Sequence, residues 1–351
     1  MLPGAYVLTS KLAIDGRDNP SLSQNIVAAT VEESIEGLYR CEIELVNFSA
    51  GQYLYFDGST FDFGSEIRFS VGIGTQEGRL FQGYITALEA TYIDGGGTRL
   101  TILAEDKLQD LRMARRSRTF EDLTDEDVMQ QIAQEHSLQT SFAGLNGPTY
   151  PILAQTNLSD LAFLRQCARR LNAEIWLDGS TLHVANRPTR ATERVTLAFG
   201  ANLQSFQVRA DLAHQCTEFS VSGWDVAAKR AIHETAAEST ISNELNGGRS
   251  GSAILQDAFG ERKQSLVHTI PLSTAEATAI AAARYREKAR QFVTGSGVAD
   301  GDPRIRVGTI LDLSQLGTLF DGEYYVISTC HTVTIEQGYQ TAFAVERANV
   351  N

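Results

Sequence analysis

The sequence predicts an α+β chain that is mainly β, with two related antiparallel β units flanking a small α/β section. Three observations carry this reading. Stretches toward both ends alternate apolar and polar residues with a period of two. A central stretch switches to helical spacing. One phrase is written twice: GRLFQGYITALEATY from Gly78 to Tyr92 and GTLFDGEYYVISTCH from Gly317 to His331. Each carries Leu-Phe, an acid or amide, a Gly and then an alternating run with Tyr. These are Phe81, Gly83 and Tyr84 in the first copy and Phe320, Gly322 and Tyr324 in the second. Phe81 and Phe320 lie 239 positions apart, and so do Gly83 and Gly322.

The first section reads as strands. EIRFSV places Ile67, Phe69 and Val71 on one face and Glu66, Arg68 and Ser70 on the other, the pattern of a half-buried strand. YRCEIELVN (Tyr39 to Asn47) and TRLTILAED (Thr98 to Asp106) alternate in the same way. Turns such as DGGGT (Asp94 to Thr98), with glycine at 95–97, separate them. Short strands at this spacing suit an antiparallel barrel or a sandwich.

The pattern changes near Leu108. In LTDEDVMQQIAQEHSL, Thr124 can cap a helix whose third position is Asp127, and Val128 and Ile132 share a face. NLSDLAFLRQCARRL follows a Gly/Pro turn at Gly147 and Pro148, with a stripe of Leu161, Leu164, Ala168 and Leu171. AEIWLDGSTLHVAN then reads as a hairpin turning at Asp178-Gly179.

Strands return in LQSFQVRADL and CTEFSVSGWDVAAKRAI. NELNGGRSGSAI (Asn243 to Ile254) reads as a loop. STAEATAIAAARYREKARQF is a clear helix, opened by a capping box of Ser273 and Glu276. Strand-like alternation resumes from Gly295 to Val345. Both copies of the repeated phrase sit between a preceding strand (67–71; 309–313) and a following turn and strand. That common order points to duplication, with the differences confined to loops.

Composition narrows function by exclusion. Hydrophobic residues at 42% and charged residues at 21% describe a folded, soluble chain. A net charge of −13, from 43 acids and 30 bases, disfavours stable binding to nucleic acid. No apolar run is long enough to span a bilayer, so membrane insertion is not expected, and the N-terminus has no signal-peptide pattern. Cys41, Cys167, Cys216 and Cys330 are too dispersed for a metal motif and read as reduced, mostly buried thiols. The six histidines, at 136, 183, 214, 233, 268 and 331, form no compact metal spacing. His331 adjoins Cys330, but strand neighbours point to opposite faces, so they make no nucleophile pair. GGRSGS (Gly247 to Ser252) lacks the second Gly of a nucleophile elbow and has no strand-turn-helix frame. GIGTQEG (Gly72 to Gly78) is no dinucleotide fingerprint. The acids of EDLTDED suit the first turn of a helix. RMARRSR (Arg112 to Arg118) reads as a solvated turn pairing with nearby acids, or else as a docking patch for an acidic partner. Trp176 and Trp224 read as core or interface anchors. No catalytic, cofactor or metal site is expected.

Several phrases together resemble the baseplate hub proteins of contractile tails. These are the phage late control protein D family and the N-terminal hub part of type VI secretion VgrG. LFQGYITALE is similar to the family's strand at the end of the first barrel. KLQDLRMARRSRTFEDLTDEDVMQQIAQEHSL resembles its signature stretch, and YPILAQTNLSDLAFLRQCARRLNAEIWLDGSTLHV resembles the motif that follows. VSGWDVAAKRAI, with Gly223, Trp224 and Asp225, resembles the segment typical of late control D proteins.

The resemblance implies two related antiparallel β-barrel domains, an intervening small α/β domain and a helical insertion in the second barrel. The expected boundaries are 1–107, 108–190, 191–235, 236–295 and 296–351, the third and fifth forming the second barrel around the insertion. It implies a non-enzymatic homotrimer whose six barrels make a pseudo-sixfold ring joining a hexameric tail tube to a trimeric spike. Expected partners are the spike protein, a tail tube or tube-initiator protein and other baseplate components. Such a protein is made in the bacterial cytoplasm and assembled into the baseplate of a phage tail or injection particle. The sequence ends past the second barrel without a needle repeat, so a separate chain is expected to carry the spike. The acidic balance is compatible with a negative channel wall. Two other readings stay open, a tail-associated peptidoglycan hydrolase and a glycan-binding tip protein.

Overall fold

Alternation in the first section becomes six main strands: β1 (Leu8–Ile14), β2 (Ile26–Ser34), β3 (Arg40–Val46), β4 (Glu66–Ile73), β5 (Gln76–Ile93) and β6 (Gly97–Glu105). The computed structural model describes residues 8–351 apart from 57, 59, 74–75, 95–96, 192 and 227. Residues 1–7 of the expected first domain, 74–75 of GIGTQEG and most of the glycine turn at 95–97 lie outside the described residues. Ile67, Phe69 and Val71 are buried, as their period of two requires, and pack with Leu12, Val31, Ile43, Phe81 and Ile102 in one core. We call this body the first lobe.

The middle section follows as β7 (Arg115–Thr124), α1 (Asp125–Glu135), β8 (Gln139–Ala143), β9 (Thr149–Ser159), α2 (Asp160–Arg170), β10 (Ala173–Asp178) and β11 (Thr181–Asn186). Thr124 closes the capping box with Asp127, and Val128 and Ile132 are buried together. Phe120 of β7 stacks on Phe163 of α2 at 5.8 Å, inside a core that also holds Leu164 and Val184. The hairpin turn is centred on Gly179-Ser180, one residue later than expected, because Asp178 and Thr181 are paired and Gly179 takes φ +59°. The basic run lies on and just before β7 and pairs with acids. Arg116 and Arg118 reach Glu135 and Asp160, and Arg112 reaches Glu105.

The second lobe is built from β12 (Arg194–Ala198) and β13 (Leu203–Ala210), then, after an insertion, β17 (Val293–Asp300), β18 (Ile310–Ser314), β19 (Gly322–Thr334) and β20 (Gly338–Arg347). The insertion comprises β14 (Glu218–Asp225), β15 (Arg230–Ala237), α3 (Gly251–Phe259), β16 (Lys263–Leu266) and α4 (Thr274–Arg290). This moves a boundary. Residues 218–235, expected in the second barrel, lie on β14 and β15, which among the described residues pair only with each other and with β16, in a separate three-stranded sheet. Phe219, Val221 and Ile232 pack on Ala277, Ala281 and Tyr285 of α4, so their apolar face is satisfied without the lobe.

The stretch 243–254 also differs from the expected loop. Ser250 caps α3 through its Oγ, which accepts from Ala253 N at 3.0 Å, so the helix starts inside the Gly/Ser run. The cap at Ser273 forms as expected. Glu276, however, accepts from Leu272 N at 2.8 Å, one residue before the cap.

Among the described residues the strand pairings close neither lobe into a barrel of its own. One 13-stranded sheet runs through both along an open path: β13, β17, β20, β19, β2, β3, β6, β5, β4, β1 and a two-residue strand at Arg17–Asp18. β18 and β12 branch from β19. Backbone pairing continues across the domain boundary because β19 offers its second edge to β2. The cores remain distinct, the second one formed by Val195, Leu203, Val293, Leu311, Tyr324 and Phe343.

Candidate functional site: the joint between two matching lobes

Starting from the edge strand, the first lobe runs β2-β3-β6-β5-β4-β1 and the second β13-β17-β20-β19-β18-β12. The order of elements along the chain is the same in both. Irregularities also match. β5 pairs with β4 up to Tyr84 (opposite Glu66) and with β6 from Tyr84 (opposite Glu105), then bulges between Ile85 and Ala87. β19 pairs with β18 up to Tyr325 (opposite Ile310) and with β20 from Tyr325 (opposite Glu346), then bulges between Val326 and Ser328. The two edge strands bulge as well, β2 between Ile26 and Ala28 and β13 between Leu203 and Ser205. A bulge bends a strand at a set place, so matched bulges mean matched curvature. The lobes differ at one edge. β1 lies antiparallel to β4, whereas β12, entering from the α/β domain, lies parallel to β18.

These registers correct the alignment of the repeated phrase. Tyr84 and Tyr325 are counterparts, 325 − 84 = 241 positions apart, rather than the 239 of the literal match. Phe81 is a buried strand residue opposite Phe69, whereas Phe320 sits half-buried in the turn before β19 and lends its carbonyl to Tyr324 Oη at 2.7 Å. The register places Gly83 (opposite Ile67) against Tyr324 (opposite Leu311). Gly83 is glycine because a Cβ there would lie 2.3 Å from the Glu105 carbonyl oxygen. Gly322 is glycine because its φ is +124°. A slip of two residues keeps every side chain on its face, which is why the phrase aligned so well at the wrong offset.

At the joint, β19 pairs antiparallel with β2 from Ser328 opposite Ser34 to Thr334 opposite Ala28. Val333 of the second lobe is buried in the core of the first. Gly78 of β5 packs so closely on Pro303 that a Cβ would come within 2.5 Å of the Pro303 Cβ. Arg306 reaches from the second lobe to pair with Glu33 and donates to the Arg79 carbonyl at 3.0 Å. Val307 N donates to Glu33 at 3.2 Å.

The α/β domain is tied into the same joint by buried charge. Glu174 of β10 accepts from Arg187 Nε at 2.8 Å, Arg190 Nη1 at 3.0 Å and Tyr325 Oη at 2.5 Å. Arg187 also pairs with Glu346 at 2.8 Å and lies over the Tyr325 ring, while Arg190 lies over Trp176 and donates to Tyr39 Oη at 3.0 Å. Arg290 of the insertion pairs with Glu244 at 2.7 Å and donates to Asn172 Oδ1 at 2.8 Å. Burial, with Glu174 alongside, pushes the Tyr325 phenol well above its ordinary value. Burial works against the charge of Arg187, yet Glu346 and Glu174 hold its pKa raised. Burial lowers His331 to about 4, and its Nδ1 faces Tyr339 Oη at 2.9 Å. Such groups set lobe orientation: with every charge paired, rotating one body breaks several bonds at once. Sequence reasoning missed this lattice. Its signal was Glu174, a carboxylate inside the apolar run AEIWL, which needs a buried cation.

Gly223, Trp224 and Asp225 sit elsewhere, at the end of β14 in the insertion. A Cβ on Gly223 would lie 2.4 Å from the Pro271 carbonyl oxygen, Trp224 is 51% exposed, and Asp225 caps the turn by accepting from Ala228 N at 2.8 Å. Ser250 ends a two-residue strand (Arg249–Ser250) and caps the helix that follows, a frame the sequence reading had denied it, but its Oγ is buried against Glu238 at 2.6 Å. Among the described residues no group of three His, Cys, Asp or Glu could hold a metal, and no helix is long and apolar enough to cross a membrane.

A two-lobed, mainly β chain with this joint has the fold of a class of tail proteins. Solved structures that share it include the 43 kDa tail protein of prophage MuSo2 from Shewanella oneidensis, at TM-score 0.70 and 15% identity, covering 98% of this chain and 100% of that one. A tail protein from Neisseria meningitidis MC58 matches at TM-score 0.68 and 12% identity, covering 97% of each chain. An Escherichia coli component of the type VI secretion system, described as structurally similar to the T4 bacteriophage tail proteins gp27 and gp5, matches at TM-score 0.61 and 11% identity. The match covers 96% of this chain and 76% of that one. No curated protein matches the sequence significantly. The chain belongs to the family described as the Alg8 N-terminal domain, whose model matches residues 5–335.

Proposed function

We propose that this chain is a structural baseplate hub of a phage tail or contractile injection system. It works as a homotrimer whose two lobes per chain form a pseudo-sixfold ring between a hexameric tube and a trimeric spike. The observation that carries the reading is the matched strand order and bulges of the two lobes, locked in one orientation by the β19–β2 pairing. A threefold assembly of single-lobed chains would leave every second tube subunit without a matching partner. Two near-equivalent lobes remove that mismatch while keeping closed rotational symmetry. The fold shared with tail proteins and with a type VI secretion component supports the same reading.

The test is the mass of the purified full chain in solution, alone and with its spike and tube proteins. A trimer that captures both is expected. A monomer at about 100 µM that binds neither overturns the proposal. A cell-wall degradation assay on the same material separates the hub from a hydrolase.

A further inference from the structure

Among the described residues no strand pairs with the outer edge of β13 or with the outer edge of β5 beyond Tyr84, and the internal joint shows what fits them. Resting on the hub reading, we propose that the outer edge of β13 in one copy pairs antiparallel with the outer edge of β5 in the next. Leu88 then lies opposite Ala210 and Ile93 opposite Ser205.

The register follows from the joint inside the chain. Glu105 and Glu346 face the counterpart tyrosines, so they are counterparts too. Arg40 faces Glu105 and Thr294 faces Glu346; Glu32 faces Arg40 and Arg209 faces Thr294. Glu32 and Arg209 are therefore counterparts, 209 − 32 = 177 positions apart, and the same offset carries the β2 bulge onto the β13 bulge. Within the chain Cys330 faces Glu32. The counterpart of Cys330 is Glu89, since 330 − 241 = 89, so Glu89 of one copy faces Arg209 of the next.

Side chains fit this pairing although none was used to derive it. Glu89 and Arg209 are exposed, and neither has an ion-pair partner among the described residues. Tyr92, 65% exposed, is the counterpart of Val333, which is buried at the internal joint. It would meet Phe206, the counterpart of Ala29. Around Tyr92 lie Tyr53 at 6.4 Å and Phe56 at 5.9 Å, with Phe48 5.6 Å from Tyr53, an aromatic patch on the loop that corresponds to the joint-forming loop of the second lobe. Cross-strand pairs of opposite charge and of aromatics are favourable. No described strand pairs with either outer edge, and long unpaired edges are normally blunted or used. The contact is head-to-tail, so it propagates lobe to lobe and closes when the rotation permits.

The experiment is disulfide trapping of the full chain. Thr91→Cys with Gln207→Cys places two thiols opposite each other across copies; Thr91→Cys with Arg209→Cys is displaced by two residues and out of reach. Mild oxidation should convert most of the first variant, and little of the second, into reducible covalent oligomers. A chain that is trimeric by mass but traps only in the displaced variant, or in neither, overturns the register and leaves the hub reading standing. A chain that neither assembles nor traps overturns both. Independently, Glu89→Arg should weaken assembly roughly fivefold per interface, and adding Arg209→Glu should restore it. Failure of the double reversal to restore assembly counts against the pairing.

Discussion

Tyr325 donates its phenolic hydrogen to Glu174 at 2.5 Å, joining the bend of the second lobe to the α/β domain across 151 residues of chain. The same carboxylate answers two buried guanidinium groups, so three donors share one acceptor, and Arg190 carries the link on to Tyr39 of the first lobe. Replacing Glu174 by Ala leaves Arg187 and Arg190 without it and should cost about 3–5 kcal/mol. Tyr325→Phe removes one hydrogen bond to a charged group and should cost about 1.5–3 kcal/mol. Urea denaturation of both variants checks the order; an equal or reversed ranking would show that Glu174 does not organise the joint.

Two buried groups give opposite acid responses. His331 is held at about 4 against 6.5 unfolded, facing Glu33, Arg306 and Asp302. Between those values the unfolded chain binds more protons, so this contribution to stability rises with pH and is lost on acidification. Asp106, buried while accepting from Tyr39 N and Leu108 N, is pushed up to about 6 from 3.8. Its contribution runs the other way, falling as pH rises through that window. His331→Asn should therefore gain on the wild type as pH drops from 6.5 to 4, while Asp106→Asn should gain as pH rises from 4 to 6. Stability measured across pH 4–7 tests both. Asp160, Asp302 and Glu244, each held below the ordinary carboxylate range, are common to all three proteins and cancel.

The repeated glycines should fail for different reasons. Gly83→Ala drives a methyl into the Glu105 carbonyl at the bend of β5, an overpacking cost of about 1–3 kcal/mol or more. Gly322→Ala meets only the movable end of Arg347, 3.1 Å from the new methyl, but on a backbone at φ +124°, at about 1–2 kcal/mol. Melting temperatures should rank Gly322→Ala above Gly83→Ala. In crystal structures, only the latter should displace Glu105 from its pairing with Tyr84.

Ser250 is a cap, and its loss should be a stability defect alone. Ser250→Ala removes the bond from Ala253 N and strips Glu238 of a donor, at about 1–2 kcal/mol. Trimer mass and partner capture should be unchanged; loss of either at full helicity would assign the hydroxyl another role.

Local chemistry was legible before any fold. Thr124 and Asp127 specify their helix start because both partners of the cap lie within three residues. The period of two in EIRFSV specified its buried face for the same reason. The GWD strands show the limit. Their alternation said strand, but nothing local said whether they join the lobe or the inserted helix, and α4 decided it.

The sequence by itself determined the helix caps, the buried faces of the strands and the fact that one phrase occurs twice. Tertiary structure alone decided that Tyr84 matches Tyr325, that β19 lends its second edge to β2, and that Glu174 gathers two arginines and a tyrosine. The reason is physical. Side-chain faces repeat every two residues, so a two-residue slip leaves no trace in an apolar pattern. Only backbone hydrogen bonds between strands far apart in the chain choose among the registers the pattern allows.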